Sequence, residues 1–437
     1  MTHLPHKLGA RFWRHSHGSM TVYGLYLFML ILMVAGLAID TASVNLAKTK
    51  LQATADATAH AALYNRERNS REVAKYRALR VAQDWMPRET FGNIVDPTDI
   101  EFGIWDHATA TFTPNPWSKS AVRVTTHMDA AHNNGLRALL LRVTGSDNLF
   151  DVRAQSIFTT FIPNCLREGF VAQGVVDIQS NNGFAAGFCV HSNDHVALNN
   201  NNTFAPGTVV SMPDLSAIDL GRNGFERNEG LEAALRSGAY RLRTLNNAET
   251  IMDGLDAADP DYLPDYIRST LPINIWSHSL TEADFTPGRI HRIACRGRQI
   301  TISTSAPLTD VVILTDCPIR FGQGSTLENA IVATTDDSDR SITGPSGLNI
   351  GRDDDCDPDG GATLITNGGM NFAADLAMFG GRLISGGDIS FAARADGIEG
   401  ASIIAGGKVD GTSNSYMGFC GQGMEAKYEA QYFRMAL

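Results

Sequence analysis

LITNGGMNFAA (Leu364–Ala374), LISGGDISFAA (Leu383–Ala393) and IIAGGKVDGTS (Ile403–Ser413) are three versions of one unit, and their starts lie 19 and 20 residues apart. VVIL (Val311–Leu314) and AIVA (Ala330–Ala333) repeat at 19, and VVDI (Val175–Ile178) and VAL (Val196–Leu198) echo the interval. Short β-branched runs with glycine corners at a period near twenty predict a solenoid, most simply a right-handed parallel β-helix. One coil cannot bury its inward Ile, Leu, Val and Phe alone, whereas stacked coils, about 4.8 Å apart and joined by backbone hydrogen bonds, share one core. Glycine permits the tight bends with positive φ. A β-sandwich is the rival architecture. The charged stretch at residues 228–270, with EGLEAALRSGAYRLRTL, reads as a helical insertion into the solenoid.

The cysteines follow the same spacing. Cys165 to Cys189 is 24 residues and Cys295 to Cys317 is 22, about one coil each. Neighbours one coil apart fall within the Cα reach of a disulfide, about 4.4–6.8 Å, so both pairs are expected. Cys356 and Cys420 remain as a third pair by elimination, which requires a loop to fold back. None of the six lies in a CxxC pair, which argues against a zinc ribbon or a thioredoxin-like motif.

Composition narrows the class. A chain of 437 residues holds two or three domains. Its net charge of −11 leaves no cationic excess for neutralising phosphates, so no nucleic-acid partner is expected. With 41 glycines and 19% charged residues it reads as a β-rich exported protein.

Ahead of the repeats, Met20–Ile39 (MTVYGLYLFMLILMVAGLAI) is uncharged and long enough to cross a bilayer as a helix. The tail before it carries Lys7, Arg11, Arg14 and four histidines but no Asp or Glu. The positive-inside rule then leaves residues 1–19 in the cytoplasm and exports the rest. A cleaved signal peptide, ending near Gly36–Ala38, is the alternative. Helical pattern continues past Asp40. Val44, Ala47, Leu51, Ala55, Ala59 and Ala62 share one face at three- and four-residue steps. That small-residue face suits either a partner helix or the protein's own core.

This stretch carries a resemblance. Gly18, the apolar span, Asp40 and the run Leu51-Gln52-x-x-x-Asp56-Ala57 resemble the N-terminus of TadE/TadG-like proteins of the Flp (tight-adherence) pilus system. FGIWDHATATFTP (Phe102–Pro114) resembles a Phe-Gly-x-Trp-Asp segment of TadG-like chains. The resemblance implies a pilus-assembly component held in the bacterial inner membrane, with other Tad assembly proteins as partners. Two departures stand out. Prepilin-type relatives place Glu five residues after the glycine, where this chain has Tyr23, and the Asp-x-Ser-x-Ser metal motif of relatives with a von Willebrand A domain is absent.

Residues 40–160 read as the long helix plus a small α+β unit similar in plan to pseudopilins. Helix is expected over Arg71–Trp85 and near Leu136–Val143, and strands over Ile100–Trp105, Ala121–Thr126 and Asp151–Phe161. Residues 161–437 form the exported β-helix-like domain. The sequence has no G-x-S-x-G, H-E-x-x-H or P-loop, so no catalytic residue, cofactor or small-molecule substrate is expected. His191 and His195 are four apart but sit in what reads as an Asn-rich loop. In GRDDDCDPDGG, Asp355, Asp357 and Asp359 resemble the start of a calcium loop, yet Thr366 stands where the bidentate acid belongs. An acidic solvated turn is the favoured reading. The function implied is structural, with a membrane-tethered β-helix enzyme acting on polysaccharide, or a released adhesin, as alternatives.

Overall fold

The computed structural model describes residues 19–138, 149–221, 224–421 and 428–436. The chain forms two compact units, one reaching to Phe161 and including Tyr432–Leu437, the other Ile162–Gln431.

In the first unit, helix α1 (Ser19–Arg66) runs unbroken for 48 residues, about 72 Å at 1.5 Å per residue. Helix α2 (Arg71–Trp85) starts at Ser70, whose hydroxyl accepts from the Val73 amide, and stops just before Pro87. Its buried Ala74, Ala78 and Ala82 share a core with Ala47, Leu51, Ala59 and Ala62 of α1. Rows of methyl groups let the two backbones approach closely. Below the helices lies an antiparallel sheet in the order Thr111–Pro114, Ile100–Asp106, Ala121–Met128, Val152–Phe161, Tyr432–Met435. Along Val152–Ser156 burial alternates, so one sheet face meets the helices and the other is wet. Tyr432 pairs with Phe161, so the chain leaves this sheet and re-enters it on adjacent strands. The last strand therefore belongs to the first unit, although the sequence reading carried the C-terminal domain to residue 437. The helix expected near Leu136–Val143 is also corrected: Leu136–Arg137 is a two-residue strand paired with Leu149–Phe150, and residues 139–148 lie outside those described.

In the second unit every strand pairing among the described residues is parallel, which removes the antiparallel sandwich there. The sequence repeats define the register. Leu364 pairs with Leu383, Leu383 with Ile403, and Ile403 with Phe170. The order of these rungs is not the order of the chain. The chain enters in the middle at Gly169–Ala172, stacks outward through Cys189–Ser192 and Val209–Met212 to Leu235–Ser237, then starts again at the opposite end with Ser269–Ile275. From there it returns rung by rung until Ser402–Ala405 pairs with Gly169–Ala172.

Between the two runs lies helix α3 (Arg243–Asp256). Its Ala248, Ile251, Met252 and Leu255 cluster with Ile290, Val312, Leu314, Ile331, Ile365 and Ile384, while Val311, Ile313, Val332, Leu364 and Leu383 fill the other core. Alternate residues of one strand thus enter two cores. That explains why VVIL and AIVA are apolar without interruption. Within the stretch read as a helical insertion, EGLEAALRS holds only one helical turn, Leu231–Ala234, followed by the strand Leu235–Ser237. The long helix begins eight residues after Leu235.

Glycine acts here in two ways. At the Gly-Gly corners the successive backbones stack directly: Gly386 N donates to Thr366 O at 2.9 Å and Gly406 N to Ser385 O at 2.8 Å. A Cβ on Gly386 would run into the Asn367 carbonyl, and one on Gly406 into that of Gly386. These corners need close approach, and the positive φ expected of them appears instead at Gly380 and Gly400. The Asn-rich run also proves to be strand and corner. Asn182 Nδ2 donates to Asn202 Oδ1 at 3.0 Å, and Asn202 Nδ2 to Asn228 Oδ1 at 3.2 Å, a buried amide ladder across three rungs.

Candidate functional site

Helix α1 is the first candidate. The side chains of Met20–Leu37 are exposed apart from Gly36. This is the one described helix long and apolar enough to cross a membrane, its most apolar window having a mean hydropathy of 2.4. Asp40, at the far edge, is buried. Beyond it the helix changes neighbours: Ala47, Leu51, Ala55, Ala59, Ala62 and Leu63 are buried. The small-residue face is covered by α2 and the sheet of its own unit, so it is core and not a seam left open for a partner helix.

The motif residues make a joint between helix and sheet. Leu51 is fully buried, and its carbonyl accepts from the buried Thr126 hydroxyl at 3.1 Å. Gln52 Nε2 donates to the Gln155 carbonyl at 3.0 Å and to Asp56 Oδ1 at 2.9 Å. Asp56, one helical turn on, thereby orients Gln52, while Ala57 is half-buried. Gly18 lies outside the described residues. The Phe-Gly-x-Trp-Asp segment is a hairpin. Phe102 is core, and a Cβ on Gly103 would meet the Thr113 carbonyl of the neighbouring strand. Asp106 Oδ1 accepts from Ala108 N at 2.8 Å to close the turn.

The second candidate is the acidic loop of the second unit, beside a cleft of about 400 Å³ lined by Glu168, Asp265, Tyr266, Asn329, Asp354 and Glu399 among others. Asp355, Asp357 and Asp359 are exposed, and among the described residues their carboxylates do not converge on one point. The loop is organised by Asp354, which accepts from Arg352 Nε at 3.0 Å and Asp357 N at 3.1 Å. Thr366 is buried at a strand end, its hydroxyl donating to Asp336 O at 3.0 Å. Burial, followed by the charges of Asp353, Asp355, Asp354 and Glu168, raises the Glu399 pKa above the usual carboxylate value.

The six cysteines stand as three disulfide pairs: Cys165–Cys189 (Cα–Cα 4.8 Å), Cys295–Cys317 (6.3 Å) and Cys356–Cys420 (5.5 Å). Cys295 and Cys317 follow Ile293 and Thr315, which are paired on neighbouring rungs. Cys356 ties the acidic loop to the end of the final rung. His191 and His195 are not brought together as a ligand pair. The ring nitrogens of His191 meet Ser211 Oγ at 2.7 Å and Asn193 Oδ1 at 3.0 Å, and His195 faces Asp194 at 3.2 Å. Sequence reading passed over a third constellation, His127 and His132 of the first unit. The H-x-D-x-x-H spacing was its only linear signal, since the facing carboxylates lie about thirty residues upstream.

Comparison with known families gives two matches. Residues 18–74 match the TadE/G-like family of Flp pilus assembly, and residues 169–421 match a family described as a domain of unknown function (DUF7867). No curated protein and no solved structure matches the chain. The TadE/G-like segment spans the apolar half of α1, the joint around Gln52 and the first turn of α2. Together with the apolar helix it fits a membrane protein of pilus assembly. The chain belongs to the DUF7867 family over more than half its length and carries at its N-terminus the helical segment of TadE/G-like pilus-assembly proteins.

Proposed function

We propose that this protein is a structural component of a Flp/Tad-type pilus-assembly system, anchored in the bacterial inner membrane by residues 20–39. Residues 1–19 lie in the cytoplasm, and both folded units stand in the periplasm. The second unit winds as a right-handed parallel β-helix-like solenoid whose surface binds other pilus or secretion proteins. One observation carries this reading: α1 passes without a break from exposed apolar side chains into the buried core of the first unit. A cleavable leader has no need to be continuous with the core it precedes. An anchor does, because the helix then transmits the position of the bilayer to the domain. Three disulfide pairs beyond the span suit an oxidising compartment. The protein works as a scaffold.

An anchored polysaccharide-acting enzyme would need a groove holding carboxylates and a basic residue. The acidic cleft has carboxylates, but no Lys or Arg is among its described lining residues. The test of the scaffold reading is photocrosslinking from the exposed edge of the second unit in intact cells, combined with alkaline extraction of membranes and thiol labelling. The expected result is a membrane-integral chain, thiols that label only after reduction, and captured pilus-assembly proteins. A full-length chain found in the soluble fraction with six reactive thiols would overturn it.

A further inference from the structure

Two turns of the first unit bring two imidazoles and three carboxylates together. Asp96 and Asp99 come from the turn before the strand Ile100–Asp106. His127 is the penultimate residue of the strand Ala121–Met128, and Asp129 and His132 follow it. His127 Nε2 lies 3.1 Å from Asp99 Oδ1, and His132 Nε2 lies 3.9 Å from Asp96 Oδ2. The two rings stack with centroids 4.4 Å apart and planes 10° from parallel. One donor atom from each of Asp99, His127 and His132 falls within 4.8 Å of the other two.

Asp96, Asp99 and His132 each have one atom tethered and another turned inward. Asp99 Oδ2 accepts from the Asp96 amide at 2.8 Å, which leaves Oδ1 facing His127. Asp96 Oδ1 is held by Asn93 Nδ2 at 2.6 Å, which leaves Oδ2 facing His132. His132 Nδ1 lies 2.6 Å from Asp129 Oδ1 and so serves as the N–H donor, leaving the Nε2 lone pair free. A carboxylate that fixes an imidazole tautomer from behind is the usual support for a metal-ligating histidine. His127 is the second, independent sign. It is 7% exposed; its Nε2 is drawn to Asp99 at 3.1 Å without hydrogen-bond geometry, and its Nδ1 makes no hydrogen bond, Asp129 Oδ2 standing 3.9 Å away.

We propose that Asp99, His127 and His132 bind one divalent cation of the zinc class, with Asp96 or water as the fourth ligand. Two imidazoles and a carboxylate suit Zn²⁺, with bonds of about 2.0–2.2 Å. Closing on an ion requires the donor atoms to draw together to about 3.3 Å, the edge of such a tetrahedron, and the two stacked rings to tilt so that both in-plane lone pairs meet it. The ion would bridge His127 and Asp99, balance the carboxylates and pin the Asp96–Asp99 turn to the central strand of the sheet.

The test uses the full-length chain in detergent, stripped by a chelator and titrated with ZnCl₂ or CoCl₂ alone. His3, His6, His15 and His17 of the tail are replaced by Gln in the reference protein, so that they cannot compete. The expected result is one equivalent bound, a raised melting temperature, and a visible Co²⁺ absorption of tetrahedral type. Asp99→Asn keeps the turn's hydrogen-bonding shape while removing a charged ligand, and affinity should fall at least about tenfold. His127→Gln should abolish the Co²⁺ band, whereas His195→Gln in the second unit should leave it unchanged. A reference protein that binds no metal, or an Asp99→Asn variant that binds and melts like the reference with Zn²⁺, would overturn the proposal.

Discussion

The two halves of α1 are both apolar and lie on one unbroken helix, yet they meet different surroundings. From Met20 to Leu37 nearly every side chain is exposed and most are large: Leu, Ile, Met, Phe and Tyr. From Ala47 to Leu63 the inward residues are mostly small, and they are buried against α2 and the sheet. The difference teaches what each surrounding demands. Lipid needs only apolarity, because its chains deform around any shape. A protein core needs volume matched to its neighbours, because interiors are close-packed.

That contrast can be broken in graded ways. Leu51→Ala should have the largest effect, lowering the stability of the first unit by about 2–5 kcal/mol through the cavity it leaves, read by thermal or denaturant unfolding in detergent. Leu30→Arg should cost about 3 kcal/mol of membrane insertion, read by alkaline extraction, with unfolding of the soluble-facing core unchanged. Ala55→Leu should cost about 1–3 kcal/mol by overpacking, while Ala35→Leu in the other half should leave the same melting curve in place. Gln52→Ala should cost about 1 kcal/mol through the lost bond to the Gln155 carbonyl. An Ala55→Leu variant as stable as the parent would erase the distinction between the halves.

How much of this was readable along the chain depends on the range of the interaction. The long apolar helix is written in consecutive residues, and the helix Arg71–Trp85 is bounded by Ser70 and Pro87 next door to it. The large parallel sheet could be read from the repeats, since Leu364, Leu383 and Ile403 recur at the spacing at which they pair. Other features had no local mark. The EGLEAALRS run has helical propensity, but the open rung Val209–Met212 pulls Leu235–Ser237 into strand pairing. The Gly-Gly corners look like turn formers, yet it is the carbonyl of the preceding rung that excludes a side chain there. The Asp99–His127–His132 group left only the H-x-D-x-x-H spacing as a trace, because Asp99 meets the histidines only after the strands at Ile100 and Ala121 pair.

The sequence by itself determined the apolar helix, the TadE/G-like segment and a β-rich remainder with a repeat near twenty residues. These rest on composition and on contacts between residues close in the chain or offset by a fixed period. Only the tertiary structure decided that the rungs start in the middle and close on Gly169–Ala172, that the last strand returns to the first unit, and that the alanine face of α1 is core. Each is a choice of partner among chemically similar surfaces, and such a choice is set by which surfaces remain uncovered once the rest of the chain has folded.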